Sequence, residues 1–312
     1  MRVAVAGSGL LAAGMLHALA ESSHTIVAVV QNGRRTKGWR RRLVPRYLAV
    51  VGGAQSATGF AVRHGVPVLW IDRLAEDLDP LRAARPDVLL VGGFDIILKR
   101  PALELPAIGC VNAHSSLLPK HRGPNPFCGV LLAGERETGV TFHRIDEGID
   151  TGDILDQTAF PIESRDTAVS LYGKACCLAT ERVVAVMDRI EKEGVQGRPQ
   201  NHSLASYDPK PTDETMRIDW TRPAEEIDRR IRAFAFAMAW FTFRGRRIRV
   251  RKAAFDPAPI KTEPGTVLDA RAPVRIATGN GVLMVEAAYS GRHVPWVWPG
   301  PANRPKPGEK VS

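Results

Sequence analysis

Residues 2–12, Arg2-Val3-Ala4-Val5-Ala6-Gly7-Ser8-Gly9-Leu10-Leu11-Ala12, decide the fold. Alternating valine and alanine suit a strand buried on both faces, as in a parallel sheet. Gly7-Ser8-Gly9 gives a tight turn, and the chain beyond it reads as a helix. Strand, glycine turn and helix in that order open a βαβ unit. Outward from this start, strand-like runs at 25–30, 68–71, 88–91, 109–113 and 139–145 alternate with helical patterns at about 9–21, 54–64, 73–84 and 124–133. A longer helical pattern runs from Asp166 as N-cap to Gly194.

The grammar predicts an α/β fold with a Rossmann-like parallel-sheet domain over residues 1–195. Residues 196–214 are polar and rich in Pro, Ser, Asn and Asp, and read as a linker. A second domain follows over 215–312. It has one helix over about 223–236, then short strands at 240–243, 247–252, 265–268, 274–278 and 282–288. Gly279-Asn280-Gly281 is a hairpin signal between the last two. Short strands with a single helix imply a small OB-like β-barrel.

Composition sets broad bounds. At 312 residues, 44% hydrophobic and 24% charged, the chain is of globular type with room for two cores. Lys+Arg 43 against Asp+Glu 33 leaves a net charge of +10, and only ten of the 43 are lysine. Guanidinium groups favour bidentate contacts to phosphate or carboxylate, so an anionic partner is implied. Cys110, Cys128, Cys176 and Cys177 lack C-x-x-C spacing and lie in apolar runs, as buried thiols do in a reducing compartment. No apolar run reaches the ~20 residues of a membrane span. Ala18-Leu19-Ala20 mimics a leader cleavage site, but glycines and His17 interrupt the stretch before it. A cytoplasmic location is expected.

Gly7-Ser8-Gly9-Leu10-Leu11-Ala12 also fits the dinucleotide fingerprint G-x-G-x-x-G/A. Gln31-Asn32 stand where an acidic ribose partner belongs, and Arg34 and Arg35 could hold a 2′-phosphate. An NADP-binding reductase is therefore a competing reading. Packing alone also demands a glycine turn at this point of an α/β domain.

The chemistry is carried further along, at Asn112-Ala113-His114-Ser115-Ser116-Leu117-Leu118-Pro119-Lys120-His121-Arg122-Gly123. Asn112 and His114 are two apart at a strand end, so both side chains point to one face. That end lies at the carboxyl edge of the sheet, where open α/β folds bind ligands. Gly148-Ile149-Asp150-Thr151-Gly152-Asp153 follows the next strand and can bring Asp150 there. An amide, an imidazole and a carboxylate suit acyl transfer to an amine. Asn112 and His114 would stabilise a tetrahedral oxyanion. Asp150 would orient His114, raise its proton affinity and help remove the amine proton, directly or through water. No Cys or Ser has a flanking base, which favours direct transfer over a covalent intermediate.

These motifs together resemble the 10-formyl-tetrahydrofolate-dependent formyltransferases: Asn-x-His with Ser-Leu-Leu-Pro-x-x-Arg-Gly, then Asp146-Glu147-Gly148-Ile149-Asp150-Thr151-Gly152-Asp153. The resemblance implies that Asn112, His114 and Asp150 form the catalytic triad. It implies folate contacts from Phe94, Asp95 and Ile96, from the signature loop Ser116, Leu117, Leu118 and Pro119, and from Gly148, Thr151 and Gly152. The formyl donor would be 10-formyl-tetrahydrofolate, with no metal, no membrane and no protein partner.

A second domain argues against the single-domain glycinamide ribonucleotide formyltransferases. The large portion that accompanies the hydrolase domain of formyl-tetrahydrofolate dehydrogenases has no counterpart here. The closest overall resemblance, over nearly the whole chain, is to methionyl-tRNA formyltransferases. It includes Ile218-Asp219-Trp220, Ile231-Arg232-Ala233-Phe234, Glu263-Pro264-Gly265-Thr266-Val267 and Lys306-Pro307-Gly308-Glu309. This implies the α-amine of methionyl-initiator tRNA as acceptor. The acceptor stem would be held by Arg34, Arg35, Lys37, Arg40, Arg41 and Arg42, and by a track of Arg247, Arg249 and Arg251 spanning about 13 Å of strand. The alternative is N-formylation of an amino-sugar nucleotide or another small amine. Two departures favour asking: the first loop lacks the family's Gly-Thr-Pro-x-Phe, and Asp95 stands in place of a glycine.

Overall fold

Val3, Ala4, Val5 and Ala6 are fully buried in β1 (Arg2–Gly7). The sheet around them runs β3 (Val68–Ile71), β2 (Thr25–Asn32), β1, β4 (Val88–Gly92), β5 (Gly109–His114), β6 (Glu137–Arg144) and β7 (Ile154–Pro161). Pairings from β3 through β5 are parallel, in the 3-2-1-4-5 order of a Rossmann-like sheet. β6 and β7 are antiparallel additions at the β5 edge. The strand expected at 139–145 therefore reverses direction, and β7 was not anticipated. Its half-buried residues lack a clean apolar run.

The computed structural model describes residues 1–71, 78–290, 294–295 and 305–312. The first of two units comprises Met1–Pro126, Glu137–Pro161 and Tyr172–Asp208. Within it, α1 (Gly9–Ala20) buries Leu11, Met15, Leu16 and Leu19. α2 (Arg40–Val51) lies within the stretch expected to be a basic insertion, and α3 (Ala57–Arg63) follows it. α4 (Asp79–Ala84) matches the end of the helix expected at 73–84, whose first part lies outside the described residues. α5 (Arg100–Leu103) is one short turn. α7 (Ala168–Glu193) buries Ala175, Cys176, Ala179, Val183, Val186, Met187 and Ile190 at helical spacing. A Cβ on Gly14 would lie 2.2 Å from Thr180 Oγ1, so glycine lets α1 approach α7.

The second unit comprises Phe127–Arg136, Ile162–Leu171 and Pro209–Ser312, and α6 (Pro126–Ala133) falls almost wholly within it. α8 (Ala224–Ala233) has Glu225 and Glu226 in its first turn and Arg230 and Arg232 in its last, matching the helix dipole. Its sheet is antiparallel, in the order β10 (Val267–Asp269), β11 (Val274–Ala277), β12 (Val282–Ser290), β9 (Arg246–Asp256) and β8 (Ala239–Phe243). β13 (Val294–Pro295) adds to β12. Residues 308–312 stitch the two outer strands together. Val267 N–H donates to Glu309 O, Val311 N–H to Gly265 O, and Ser312 N–H to Thr242 O. Val311 is buried in this seam. Val311→Asp would bury an unpaired carboxylate, and we expect it to cost ~2–4 kcal/mol, read as a lower Tm in thermal unfolding.

Among the described residues no helix is long and apolar enough to cross a membrane. Cys110, Cys128 and Cys176 are buried as expected, but Cys177 is exposed. Burial pushes the Cys110 thiol up to about 12 and the Cys176 thiol up to about 11, so neither supplies a thiolate nucleophile.

Candidate active site

Antiparallel register builds the site. Asn112 pairs with His143, and His114 with Thr141, across β5 and β6, while Thr141 pairs with Gln157 across β7. Directly opposed residues share a face, so Asn112, His114, Thr141, His143 and Gln157 line one side of the sheet. Asp150 comes to this face from the β6–β7 hairpin. Its Oδ2 lies 3.6 Å from His114 Nδ1, and its Oδ1 lies 3.4 Å from both His143 Nε2 and Asn112 Nδ2. Asn112 Nδ2 is also 3.2 Å from His143 Nε2. The three residues singled out from sequence thus converge, together with His143, which was not singled out.

Asp150 has φ +53, a left-handed conformation that aspartate tolerates better than most residues. The turn around it is built by its neighbours. Gly148 N–H and the Thr151 hydroxyl both donate to Asp146 Oδ1, at 3.0 and 2.6 Å. A Cβ on Gly152 would lie 2.1 Å from Arg144 O, so only glycine fits that corner. Gln200 closes the turn, donating to Asp150 O at 2.9 Å and to Gly152 O at 2.7 Å.

The loop after β5 folds back on the same face. Thr141 Oγ1 donates to Ser116 O and accepts from Leu118 N–H, while Gln157 Nε2 donates to Leu118 O at 2.8 Å. The Ser116 hydroxyl donates to Lys120 O at 2.9 Å. Gly123 N–H donates to Asp150 Oδ2 at 2.8 Å. Residues 196–214, expected as a linker, include Ser206 and Asp208, which pin this loop. Ser206 Oγ accepts from His121 N–H, and Asp208 Oδ2 meets His121 Nδ1, each at 2.8 Å.

The hydrogen bonds fix the proton inventory. His114 Nε2 lies 2.9 Å from His121 O, and a carbonyl only accepts, so Nε2 carries hydrogen. That leaves Nδ1 facing Asp150. Burial depresses the affinity of His114 for a second proton, only partly offset by Asp150 and the His121 carbonyl. Burial also works against the Asp150 carboxylate. In the acid range where Asp150 would take up a proton, positive charge on the neighbouring His114 ring, the His143 contact and the Gly123 N–H outweigh it and hold the Asp150 carboxyl well below the usual carboxylate range. The resting site is a carboxylate beside a neutral imidazole whose lone pair faces it. The sequence suggested His114 as an oxyanion donor, yet its N–H is already engaged by the His121 carbonyl.

Phe94 and Ile96 pack against the core of the first unit, and Asp95 accepts from Asn32 Nδ2 at 2.8 Å. The glycine loop has a packing explanation. A Cβ on Gly7 would lie 1.9 Å from Gly92 O, and Gln31 Nε2 donates to Gly7 O.

The basic residues singled out from sequence divide between engaged and exposed positions. Arg41 donates to Thr36 O and Gly33 O, and Arg35 ends the turn Gly33–Arg35 that begins just before Arg34. Lys37, Arg40 and Arg42 are exposed, but beside apolar side chains that face outward with them. Arg247 is bound by Asp213 through both guanidinium nitrogens and lies 3.9 Å from the Trp240 ring centroid, whereas Arg249 is half-buried and Arg251 exposed.

Comparison with known proteins overturns the tRNA acceptor. An N-formyltransferase from Helicobacter canadensis, solved with folinic acid and dTDP-3-aminofucose, matches with a TM-score of 0.69 at 23% identity, covering 92% of this chain and 99% of that one. The sugar 3N-formyl transferase WlaRD, solved with dTDP and 5-N-formyl-THF, matches at 0.68 and 21% identity, covering 94% and 99%. HypX from Aquifex aeolicus, solved with tetrahydrofolic acid, matches at 0.63 and 19% identity, covering 94% of this chain and 44% of that one. These neighbours bind folates, and two of them are sugar-directed enzymes or hold a nucleotide or nucleotide-linked sugar rather than tRNA. Residues 1–187 match the formyl transferase family and residues 210–292 match the formyl transferase C-terminal domain, so the chain belongs to the formyl transferase family.

Proposed function

We propose that this protein transfers the formyl group of 10-formyl-tetrahydrofolate to the amine of a nucleotide-linked amino sugar. The observation that carries the chemistry is the approach of Asp150 Oδ2 to His114 Nδ1 at 3.6 Å, with His114 Nε2 turned to the His121 carbonyl. A neutral acceptor amine attacks the formyl carbon, forming the new C–N bond and a tetrahedral oxyanion. Asn112 Nδ2, which lies 3.2 Å from His143 Nε2 and 3.4 Å from Asp150 Oδ1, gives up the longer of these contacts to donate that hydrogen to the oxyanion. The amine proton passes into the gap between His114 Nδ1 and Asp150 Oδ2, directly or through one water. Collapse breaks the bond to folate N10, which leaves with a proton returned from that pair. The full-length likeness to sugar N-formyltransferases supports the acceptor class.

We place the folate against Phe94, Asp95 and Ile96, the Ser116, Leu117, Leu118 and Pro119 loop, and the Gly148, Thr151 and Gly152 turn. The test is incubation with 10-formyl-tetrahydrofolate and a dTDP-linked amino sugar, followed by mass spectrometry. Formylated nucleotide-sugar is the expected product. Turnover of the folate with that acceptor untouched would reject the acceptor class.

Gln200 holds the Asp150 turn through two carbonyls, so it acts by position. Gln200→Leu leaves both unsatisfied and should lower kcat about tenfold or more without moving the pH profile. A shifted profile would instead mean that Gln200 sets the charge of the pair.

A further inference from the structure

Helix α2 presents an apolar face to solvent. Trp39, Leu43, Tyr47, Val50 and Val51 are 67%, 50%, 65%, 84% and 56% exposed. Trp39, Leu43, Tyr47 and Val50 are spaced four, four and three apart, so they form one stripe on a helix of 12 residues, about 18 Å long. The opposite side holds the helix in place. Pro45 is buried, and a Cβ on Gly59 of α3 would lie 2.5 Å from Leu48 O. A stripe this exposed, on a helix docked by its other face, marks a binding surface.

Charge narrows the partner. Arg40, Arg42 and Arg46 are exposed beside the stripe with Lys37 just before it, and no Asp or Glu occurs anywhere in residues 22–71. A second copy seated on the same face would oppose arginine to arginine with no carboxylate to answer. A bare phosphate backbone would leave the five apolar side chains unburied. An anionic bilayer surface satisfies both features, burying the apolar stripe at headgroup depth while arginine meets lipid phosphate. Trp39 and Tyr47 are the aromatic types that favour that interface.

We propose that α2 docks the protein reversibly on anionic membrane surfaces. The test is flotation of the full chain with phosphatidylcholine vesicles, with and without phosphatidylglycerol. The expected result is binding only to the anionic vesicles, weakened by added salt. Trp39→Ser/Leu43→Ser/Tyr47→Ser should lower it at least tenfold, and Arg42→Glu/Arg46→Glu should do the same, with circular dichroism and formyl transfer in solution unchanged in both. Absence of binding, or binding that neither variant weakens, overturns the proposal. So does concentration-dependent dimerisation abolished by the same serine variant, which would give the face to a second copy. Capture of an acidic peptide without vesicle binding would give it to a protein partner and equally overturn the proposal.

Discussion

Asp150→Asn lowers kcat/KM for formyl transfer by about a thousandfold, the mid-range of what a positioned proton acceptor contributes. Asparagine keeps the size of the side chain and a carbonyl oxygen for the Gly123 N–H, which donates to Asp150 at 2.8 Å in the native site. What it loses is the negative charge that attracts the amine proton toward His114 Nδ1. The fold should survive with a native circular dichroism spectrum, while Tm falls because asparagine lacks the charge whose lowered pKa stabilises the folded state. Loss of activity with the native spectrum supports the role; activity within a few-fold of native would remove Asp150 from proton transfer.

The same site fixes a pH dependence. The folded His114 has a lowered proton affinity, so activity holds below the ordinary imidazole range and falls as the buried ring finally protonates. Stability follows linkage for each group. Asp150 is lowered in the folded state, so its contribution is present above the unfolded carboxyl value and is lost as pH falls through the folded one. His114 works in the same direction at higher pH. Below the unfolded imidazole value the unfolded chain gains a proton that the folded site resists, which favours unfolding. His114→Gln should flatten the upper part of this acid loss in denaturant titrations.

Gly7→Ala should cost more than about 3 kcal/mol. The added Cβ would stand 1.9 Å from the Gly92 carbonyl oxygen, a main-chain atom in the neighbouring strand, and the backbone has φ +151. Neither strand can yield without breaking the β1–β4 register from Val3 opposite Val88 to Gly7 opposite Gly92. Urea unfolding measures the loss. A near-native midpoint would mean that the glycine serves a ligand instead of the packing, and would reopen the dinucleotide reading of this loop.

The fold was legible where apolar pattern and turn chemistry agreed. Val88–Gly92 is apolar throughout and is buried throughout, and α7 follows its helical period closely. Legibility failed where they disagreed. α2 carries its apolar residues outward and includes Pro45, so its pattern suggests an exposed basic loop. Asn112 and His114 were readable because strand alternation alone places them together. His143 could have been found by the same alternation, since it faces Asn112 across an antiparallel register. Gln200 and Asp208 could not be found, because nothing near them in sequence signals contacts 50 and 87 residues away. The acceptor was read from the overall resemblance to methionyl-tRNA formyltransferases, with the arginine clusters in agreement; that Arg247 is engaged by Asp213 appears only in three dimensions.

The central claim is the charge state of the pair that receives the proton, and nitrogen-15 NMR of histidine-labelled protein measures it directly, with His114→Gln identifying the signal among the eight histidines. At neutral pH the account requires a neutral His114 ring with its hydrogen on Nε2. A ring protonated on both nitrogens, or one carrying its hydrogen on Nδ1, would contradict it.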